Sequence, residues 1–287
     1  MKIGVVYPQI ELRGDPEAVR RFGLAAEELG YDHLLAYDHV VGADHDREPK
    51  LWGPYTEEHP FHDPFVMFAY LAGITERLEL VTGVLILPQR QTVLVAKQCA
   101  DLDLLSGGRL RLGVGVGWNY VEYDALGQDF ASRGKRADEQ IGYLRRLWSE
   151  PLVTFEGEFD RIDRGNVLPR PRRQIPIWVG GFGPAAFRRG SQLGDGFIFA
   201  GSLDRCLDGW KQVQAGLAAE GRSVESFGAD LITTGSKTLE ATVEAAERWR
   251  DAGGTHLSVL SMGKGFDSID AHVDFIHDVR DRLGPGS

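Results

Sequence analysis

Cysteines, lysines and long apolar runs are all scarce in this chain of 287 residues. Its two cysteines, Cys99 and Cys206, are too few and too far apart for a disulfide framework or a zinc site. No apolar stretch approaches the roughly 20 residues that span a bilayer. Residues 1–4 lead into a strand-like segment instead of a charged stretch followed by a signal core. We therefore expect a cytoplasmic protein without a membrane segment.

Positive charge is also in short supply. The 32 lysine and arginine residues face 42 acidic residues, so the formal net charge is −10. A surface that binds nucleic acid needs clustered positive charge to displace counterions from phosphates. Only seven of the basic residues are lysine and 25 are arginine. The balance argues against a nucleic-acid partner and fits an enzyme that acts on small ligands.

The chain does contain a regular alternation of short β-branched runs with longer segments of helical period, which is typical of parallel βα units. Eight strands are predicted, at residues 3–7, 33–37, 78–85, 110–115, 175–180, 196–200, 230–234 and 256–261. Eight helices are predicted, at residues 16–29, 64–75, 92–105, 133–149, 184–193, 203–220, 239–252 and 268–283. Units of this length match a (β/α)8 barrel. The sequence therefore predicts a single α/β TIM-barrel domain over residues 1–287.

Two connections are longer than the barrel requires. Residues 41–63 follow strand 2 and residues 117–132 follow strand 4, so both insertions lie on the face where barrel enzymes build their active sites. Residues 152–160, around Glu156 and Gly157, predict a hairpin before strand 5. We expect these segments to wall a substrate pocket.

Strand 2 ends in a pair of polar side chains, Asp38 and His39. Histidine is the side chain best suited to donate or accept a proton near neutral pH. Polar groups at the carboxyl end of a barrel strand are where catalytic residues occur. The alternative is a histidine that caps the strand end or bonds to a loop.

Glycines cluster in strands 3 and 4. Residues 113–117 have the spacing GxGxG, and residues 118–122 are predicted to form a loop, so the pattern departs from a dinucleotide-binding fingerprint in spacing and in context. Glycines inside a barrel strand give a flat ligand close access to the backbone, or ease packing. Gly83 interrupts strand 3 and indicates a bulge or a close backbone approach.

A second glycine-rich stretch, residues 178–186, runs from a strand into the start of a helix. The exposed N–H groups and the positive end of the helix dipole would suit a phosphate. An ordinary glycine-rich βα turn is the alternative. Ala200 and Gly201, at the end of strand 6, would leave room for the same phosphate.

Histidines and acids also cluster in the first insertion. His59 and His62, with Glu57 and Glu58, could suggest a metal site, but no helical pair of ligands four residues apart arises among them. A loop that lines the pocket is the better interpretation, and no metal is expected.

Several stretches together carry a family resemblance. They are residues 31–41, 63–77 with 82–84 and Pro88, 96–109 with 113–118, and 176–196. Taken jointly, they resemble the luciferase-like monooxygenase superfamily, specifically its branch that uses the deazaflavin coenzyme F420. The resemblance runs from residue 1 to about residue 200.

The resemblance implies roles for particular residues. Asp38 and His39 would face the deazaflavin ring, with His39 as the proton donor or the residue at the hydride site. A non-prolyl cis peptide between Gly83 and Val84 would back the ring. Asn119 would bind the side chain of the cofactor. The cofactor phosphate would lie on the backbone near Gly180, Gly181 and Ala185, with Ala200 and Gly201 opposite.

One position departs from the family pattern. Some F420-dependent sugar dehydrogenases place a catalytic glutamate directly after the glycine strand, where this chain has Trp118. That activity is therefore not transferred. Glu122 lies nearby in sequence, and its direction is left open.

The resulting hypothesis is an F420-dependent oxidoreductase that transfers a hydride between the deazaflavin C5 and a small organic substrate. One alternative is an FMN-dependent monooxygenase, which would need a flavin reductase as partner. Another is a barrel that binds the cofactor without catalysis. The resemblance also implies a homodimer, while the substrate cannot be read from the sequence.

Overall fold

Parallel strands in the computed structural model, which describes residues 1–284, form a closed barrel. The strands are, in chain order, β1 (Lys2–Val6), β2 (His33–Ala36), β3 (Glu79–Thr82), β4 (Leu85–Ile86), β5 (Leu110–Gly115), β6 (Val153–Glu156), β7 (Arg161–Gly165), β8 (Ile177–Gly180), β9 (Gly196–Phe199), β10 (Gly228–Ile232) and β11 (His256–Leu260). All except β6 and β7 belong to the barrel, which closes where β11 pairs in parallel with β1. The predicted (β/α)8 barrel is confirmed.

Helices alternate with the barrel strands. They are α1 (Pro16–Glu28), α2 (Pro64–Ala72), α3 (Thr92–Leu105), α4 (Tyr120–Ala125), α5 (Arg133–Ser149), α6 (Pro184–Leu193), α7 (Leu203–Ala219), α8 (Leu239–Asp251) and α9 (Ile269–Leu283). Local chemistry sets several of their starts: the carboxylate of Asp63 accepts hydrogen bonds from the amides of Phe65 (2.9 Å) and Val66 (3.1 Å) ahead of α2. Within residues 1–284, no helix has the length and apolarity that a bilayer crossing requires.

Two local predictions need correction, while a third agrees with the structure. The predicted strand 3, residues 78–85, divides into β3 and β4 at Gly83 and Val84, where the sequence indicated an interruption, and the peptide bond between them is cis as the resemblance implied. The hairpin expected at residues 152–160 is longer, because β7 extends to Gly165. Residues 118–122 were expected to form a loop, yet α4 begins at Tyr120.

The interior of the barrel is built in layers, because inward-facing side chains alternate along strands held in register. The middle layer consists of bulky side chains: Val6, Leu35, Val81, Trp178, Ile198, Ile232 and Leu260. Two residues further along β3, β8 and β9, the residues are Gly83, Gly180 and Ala200, and β5, which lies between β3 and β8, has glycine at both levels, at 113 and 115. Side-chain volume therefore falls sharply at the carboxyl end of this part of the barrel.

Trp178 lies at the centre of the middle layer. The guanidinium carbon of Arg111 is 4.2 Å from the centroid of its ring, and the His256 ring meets it edge-on at 4.8 Å. A Cβ atom at Gly228 would come within 1.9 Å of the indole. The glycine at 228 thus makes room for the tryptophan that covers the charged layer beneath it.

A buried polar network fills the amino-terminal end of the barrel. The carboxylate of Asp230 lies 3.3 Å from Arg111 Nη1 and 3.4 Å from His33 Nε2, and it accepts a hydrogen bond from the Ser258 hydroxyl at 3.0 Å. Arg111 also pairs with Glu79 at 3.0 Å. Burial alone would raise the pKa of Asp230, but His33 and Arg111 outweigh it and hold that pKa well below its usual range.

We expect Asp230→Asn to lower the free energy of unfolding by about 3 kcal/mol, because the buried Arg111 charge then keeps only Glu79, at the edge of the network, as its anionic partner. Since the pKa of Asp230 is lowered on folding, its contribution is present above the unfolded pKa of about 3.9 and is lost as pH falls below it. Urea unfolding at pH 7 and at lower pH should therefore show a gap between wild type and variant that narrows on acidification.

The matched control is Asp204→Asn, which removes an exposed partner of Arg248 on the outside of the barrel. Exposed ion pairs contribute about 0–1 kcal/mol to the free energy of unfolding. Equal losses of stability for the two variants would contradict the role assigned to the buried network.

Candidate active site

A cavity of about 880 Å³ opens at the carboxyl ends of the barrel strands. Gly83, Gly115, Gly180 and Ala200 all line it, and so does His39 at the end of β2. The loss of side-chain volume above the middle layer is therefore what creates the cavity. Such a volume lies within the range of small-molecule and cofactor sites.

Val84 packs between the glycines of the neighbouring strands. A Cβ at Gly115 would lie 2.5 Å from one of its methyl groups, and a Cβ at Gly180 would lie 2.7 Å from the other. Side chains at 115 and 180 are thus excluded by the valine that follows the strand-3 bulge. The result is a shallow floor of backbone and one valine, which suits a flat ring system.

His39 is held at the edge of this floor by aromatic rings and one carboxylate. Its ring meets those of Phe61 at 4.8 Å, Tyr55 at 5.3 Å and Trp118 at 5.6 Å, all edge-on. Its Nδ1 atom lies 3.5 Å from a carboxylate oxygen of Glu122, and the imidazole is 10% exposed. This arrangement leaves Nε2, on the other side of the ring, to a ligand in the cavity.

Glu122, whose direction the sequence left open, points back to the strand-2 loop. One of its oxygens accepts hydrogen bonds from the amides of Val40 and Val41, the latter at 3.0 Å, and the other faces His39. The glutamate is 1% exposed. Its position follows from α4, a short helix at residues predicted to form a loop, because the first turn of α4 carries residue 122 into the barrel mouth.

The opposite side of the cavity offers donors to an anion. Gly183 caps α6 without any side-chain bond, so the amide of Ala185 keeps the free donor that a first helical turn provides. Gly181 has φ +149°, and a Cβ there would lie 2.6 Å from the Cβ of Ala186. Gly201 lies across this end, tied by its amide to the Thr234 hydroxyl at 2.7 Å.

Two arginines beside this end were not predicted as site residues. Arg133 lies over the Phe130 ring at 3.7 Å and donates to the Phe130 carbonyl at 2.7 Å, while its Nε is buried without a hydrogen-bond partner. Arg189 is 7% exposed and pairs with Asp138. Both line the cavity, and the only signal available in the sequence was the excess of arginine.

Comparison with known proteins decides the family. A model of the luciferase-like monooxygenases matches residues 2–278 of the chain. The chain belongs to the luciferase-like monooxygenase family. An uncharacterized protein of Mycobacterium tuberculosis is 34% identical to it over 244 residues, which is 82% of each chain.

Luciferase-like relatives with named activities fall into two groups, one that depends on F420 and one that depends on reduced FMN. An F420-dependent glucose-6-phosphate dehydrogenase of Intrasporangium calvum is 34% identical over 191 residues, covering 63% of this chain and 53% of the relative. An FMNH2-dependent dimethylsulfone monooxygenase of Pseudomonas fluorescens is 29% identical over 205 residues, covering 69% and 52%.

Solved structures agree on the luciferase-like barrel. An F420-dependent secondary alcohol dehydrogenase in complex with an F420–acetone adduct superposes with a TM-score of 0.79 at 16% identity over 99% of each chain. The monooxygenase RslO1 from Streptomyces bottropensis gives the same TM-score at 20% identity, over 99% of this chain and 98% of that one. At such identities the likeness supports the fold.

Two residues implied by the luciferase-like resemblance have side chains that already bond to partners within the protein. The Asp38 carboxylate is fully inaccessible to solvent, accepting from the Ile86 amide at 2.9 Å and pairing with Arg90 at 2.7 Å. Burial raises the pKa of Asp38, against the opposing effects of Arg90 and of the Ile86 amide. The carboxylate thus fixes β4 beside the end of β2. Asp38 also lines the cavity, and its place facing a ring stays a prediction.

Asn119 is likewise occupied by local structure. Its side-chain oxygen caps α4 by accepting from the amides of Val121 (3.1 Å) and Glu122 (3.3 Å), and its nitrogen donates to the Val41 carbonyl at 3.1 Å. It is 2% exposed and is not among the described residues that line the cavity. This placement gives no support to the expected cofactor contact and makes Asn119 a helix cap in this luciferase-like chain.

We expect Glu122→Ala to lower the free energy of unfolding by about 1–3 kcal/mol, because the buried amides of Val40 and Val41 lose their acceptor. Glu122→Gln keeps a carbonyl oxygen and should lose less. Urea unfolding followed by circular dichroism would measure both. Asp124→Ala, on the exposed side of the same helix, is the control, and a loss as large as that of Glu122→Ala would contradict the assignment.

Proposed function

We propose that this protein is an F420-dependent oxidoreductase that transfers a hydride between the deazaflavin C5 and a small organic substrate. The observation that carries the proposal is one cavity with three parts: a flat floor of glycine, alanine and valine, His39 at one edge, and anion donors at the other. The F420-dependent relative from Intrasporangium calvum supports it.

The residues present fit such a cofactor. A planar ring would lie on the floor formed by Gly83, Val84, Gly115 and Gly180, where side chains at 115 and 180 are sterically excluded. A phosphate would be held by the α6 amides, by the turn at Gly181 and by Arg133, whose buried Nε has no partner within the described residues. When bound, F420 supplies the hydride chemistry itself.

The chain's own contribution is then orientation and proton handling. His39 holds a proton at Nε2 or accepts one from a substrate oxygen placed there, as general acid–base catalysis requires. Glu122 keeps Nδ1 directed away from the cavity. The aromatic rings around His39 limit access of water to Nε2 and fix the plane of the imidazole.

The alternative cofactor is FMN, which the Pseudomonas fluorescens relative supports in its reduced form. FMN also carries a ribityl phosphate, so the floor and the anion end would accept it equally well. Titration of the apoprotein with F420 and with FMN, followed by fluorescence, separates the two. Binding of FMN without micromolar binding of F420 would overturn the F420 proposal.

We expect Arg133→Gln to weaken binding of the phosphate-bearing cofactor by about tenfold or more, because it removes a charge-assisted hydrogen bond. Lys135→Gln, which removes an exposed charge two residues further along α5, should change the affinity little. Fluorescence titration of the three proteins gives the comparison. Equal effects of the two substitutions would place the phosphate elsewhere.

We expect His39→Ala to reduce turnover by about 100-fold or more while cofactor affinity changes little, since the imidazole acts on the substrate proton. The measurement is the steady-state rate alongside the fluorescence titration. A wild-type protein that binds F420 but turns over none of a broad panel of alcohols and ketones would favour the non-catalytic barrel.

A further inference from the structure

The end of the cavity beside His39 is walled by aromatic rings. The rings of Tyr37 and Tyr55 are 6.2 Å apart at an angle of 40°, and the ring of Trp118 is 5.6 Å from that of His39. Trp118 packs on the backbone of Gly53, where a Cβ would lie 2.2 Å from the indole. Packing on both sides therefore holds these walls in place, and they present flat apolar surfaces.

The charges of the cavity are distributed unequally between its ends. Among the described residues that line the cavity, the arginines are Arg133 and Arg189. They belong to α5 and α6, the helices that precede and follow β8 in the chain. The barrel order is β2, β3, β5, β8, so β8 lies three strands away from β2, the strand that leads into His39. The positive charge is thus gathered at the anion end.

Carboxylates dominate the surroundings of the His39 end. Glu122 faces His39 from behind at 3.5 Å. Glu11, anchored through one oxygen by the amide of Gly263 at 2.6 Å, has its other oxygen buried without a hydrogen-bond partner. Burial raises the pKa of the Tyr55 hydroxyl, and the negative charge of Glu11 adds to the rise. Arg90, the cation that pairs with Asp38 beside His39, is already neutralised by two carboxylates, Asp38 at 2.7 Å and Asp63 at 3.1 Å. A phosphate dianion placed here would therefore meet net negative charge, which is unfavourable.

We infer that the His39 end of the cavity takes a neutral, flat organic alcohol or carbonyl compound and rejects phosphorylated substrates. The inference rests on the function proposed above and goes beyond it by naming the substrate class. Ring stacking on Tyr55 or Trp118 supplies the contact area, and the hydroxyl or carbonyl oxygen at the reacting carbon of the substrate bonds to His39 Nε2. Glucose 6-phosphate, the substrate named for a relative, is therefore outside this class.

The test compares two ligands that differ only by a phosphate group, 4-hydroxyacetophenone and 4-acetylphenyl phosphate. Ligand-observed NMR measures their affinity for the protein in excess inorganic phosphate, which occupies the anion end. We expect the phosphate ester to bind about tenfold more weakly or worse than the ketone. The same pair is then measured on the cofactor-loaded protein, with glucose 6-phosphate as a third ligand that should not bind or react.

Variants locate the site of binding. Tyr55→Leu and Trp118→Leu should each weaken ketone binding by about two- to tenfold through loss of ring contacts. Trp52→Leu is the matched control, because Trp52 is 73% exposed and lies outside the lining of the cavity. Circular dichroism checks the fold of each variant, and Tyr55→Phe, which keeps the ring, should bind like wild type.

Three results would overturn the inference: no binding of the ketone, equal or tighter binding of the phosphate ester, or ketone binding that neither ring variant weakens. The ligand comparison in inorganic phosphate contains no cofactor. Failure of F420 to bind would thus count against the proposed function alone. The comparison of the ketone with its phosphate ester would still test the substrate class.

Discussion

The indole of Trp178 is the contact on which both halves of the barrel interior depend. On one side it covers the Arg111 guanidinium at 4.2 Å, which shields the buried pair with Asp230 from water that could enter through the cavity. On the other side it belongs to the bulky layer beneath the cavity floor. Trp178 is therefore the member of the middle layer that covers the arginine on the side away from the cavity, and glycine at 228 is a steric condition for its position.

Much of the fold follows from local signals in the sequence. The alternation of strand-like and helical segments predicts eight βα units. In the structure, α1 and α2 each begin at a proline that follows a capping aspartate, Asp15 and Asp63. Gly83 indicated an interruption in strand 3, and the strand does divide there. These features are predictable because the residues that cause them are neighbours in the chain.

The parts that escaped prediction depend on contacts between distant residues. Glu122 reaches the amides of Val40 and Val41, more than 80 residues away, and only the start of α4 at Tyr120 determines that direction. Asp38 likewise bonds to residues about 50 positions away in the chain, Arg90 and the Ile86 amide. Position in the sequence indicates that both residues lie at the carboxyl end of the barrel, whereas the residues that each side chain bonds to are determined by the folded structure.

The arginine excess has a structural explanation as well. Arg109 alone donates to the carbonyls of Ala72, Thr75, Leu78 and Ser106, which joins the end of α2 to the turn after α3. A planar group with five donors can hold several carbonyls at once, whereas a lysine cannot do so in a fixed geometry. The net charge of the chain is thus a poor guide to the charge of the cavity, because arginines such as Arg109 bind backbone carbonyls of loops outside it.

The start of α6 connects ligand occupancy to the folding equilibrium. Gly183 supplies no side-chain acceptor to the first turn of that helix, so an anion bound there would complete the helix in the way that an aspartate completes α2. Any species that binds only the folded chain stabilises it in proportion to the logarithm of its concentration. With an anion bound at the start of α6, the free energy of unfolding of this barrel would therefore depend on the anion concentration as well as on the polypeptide.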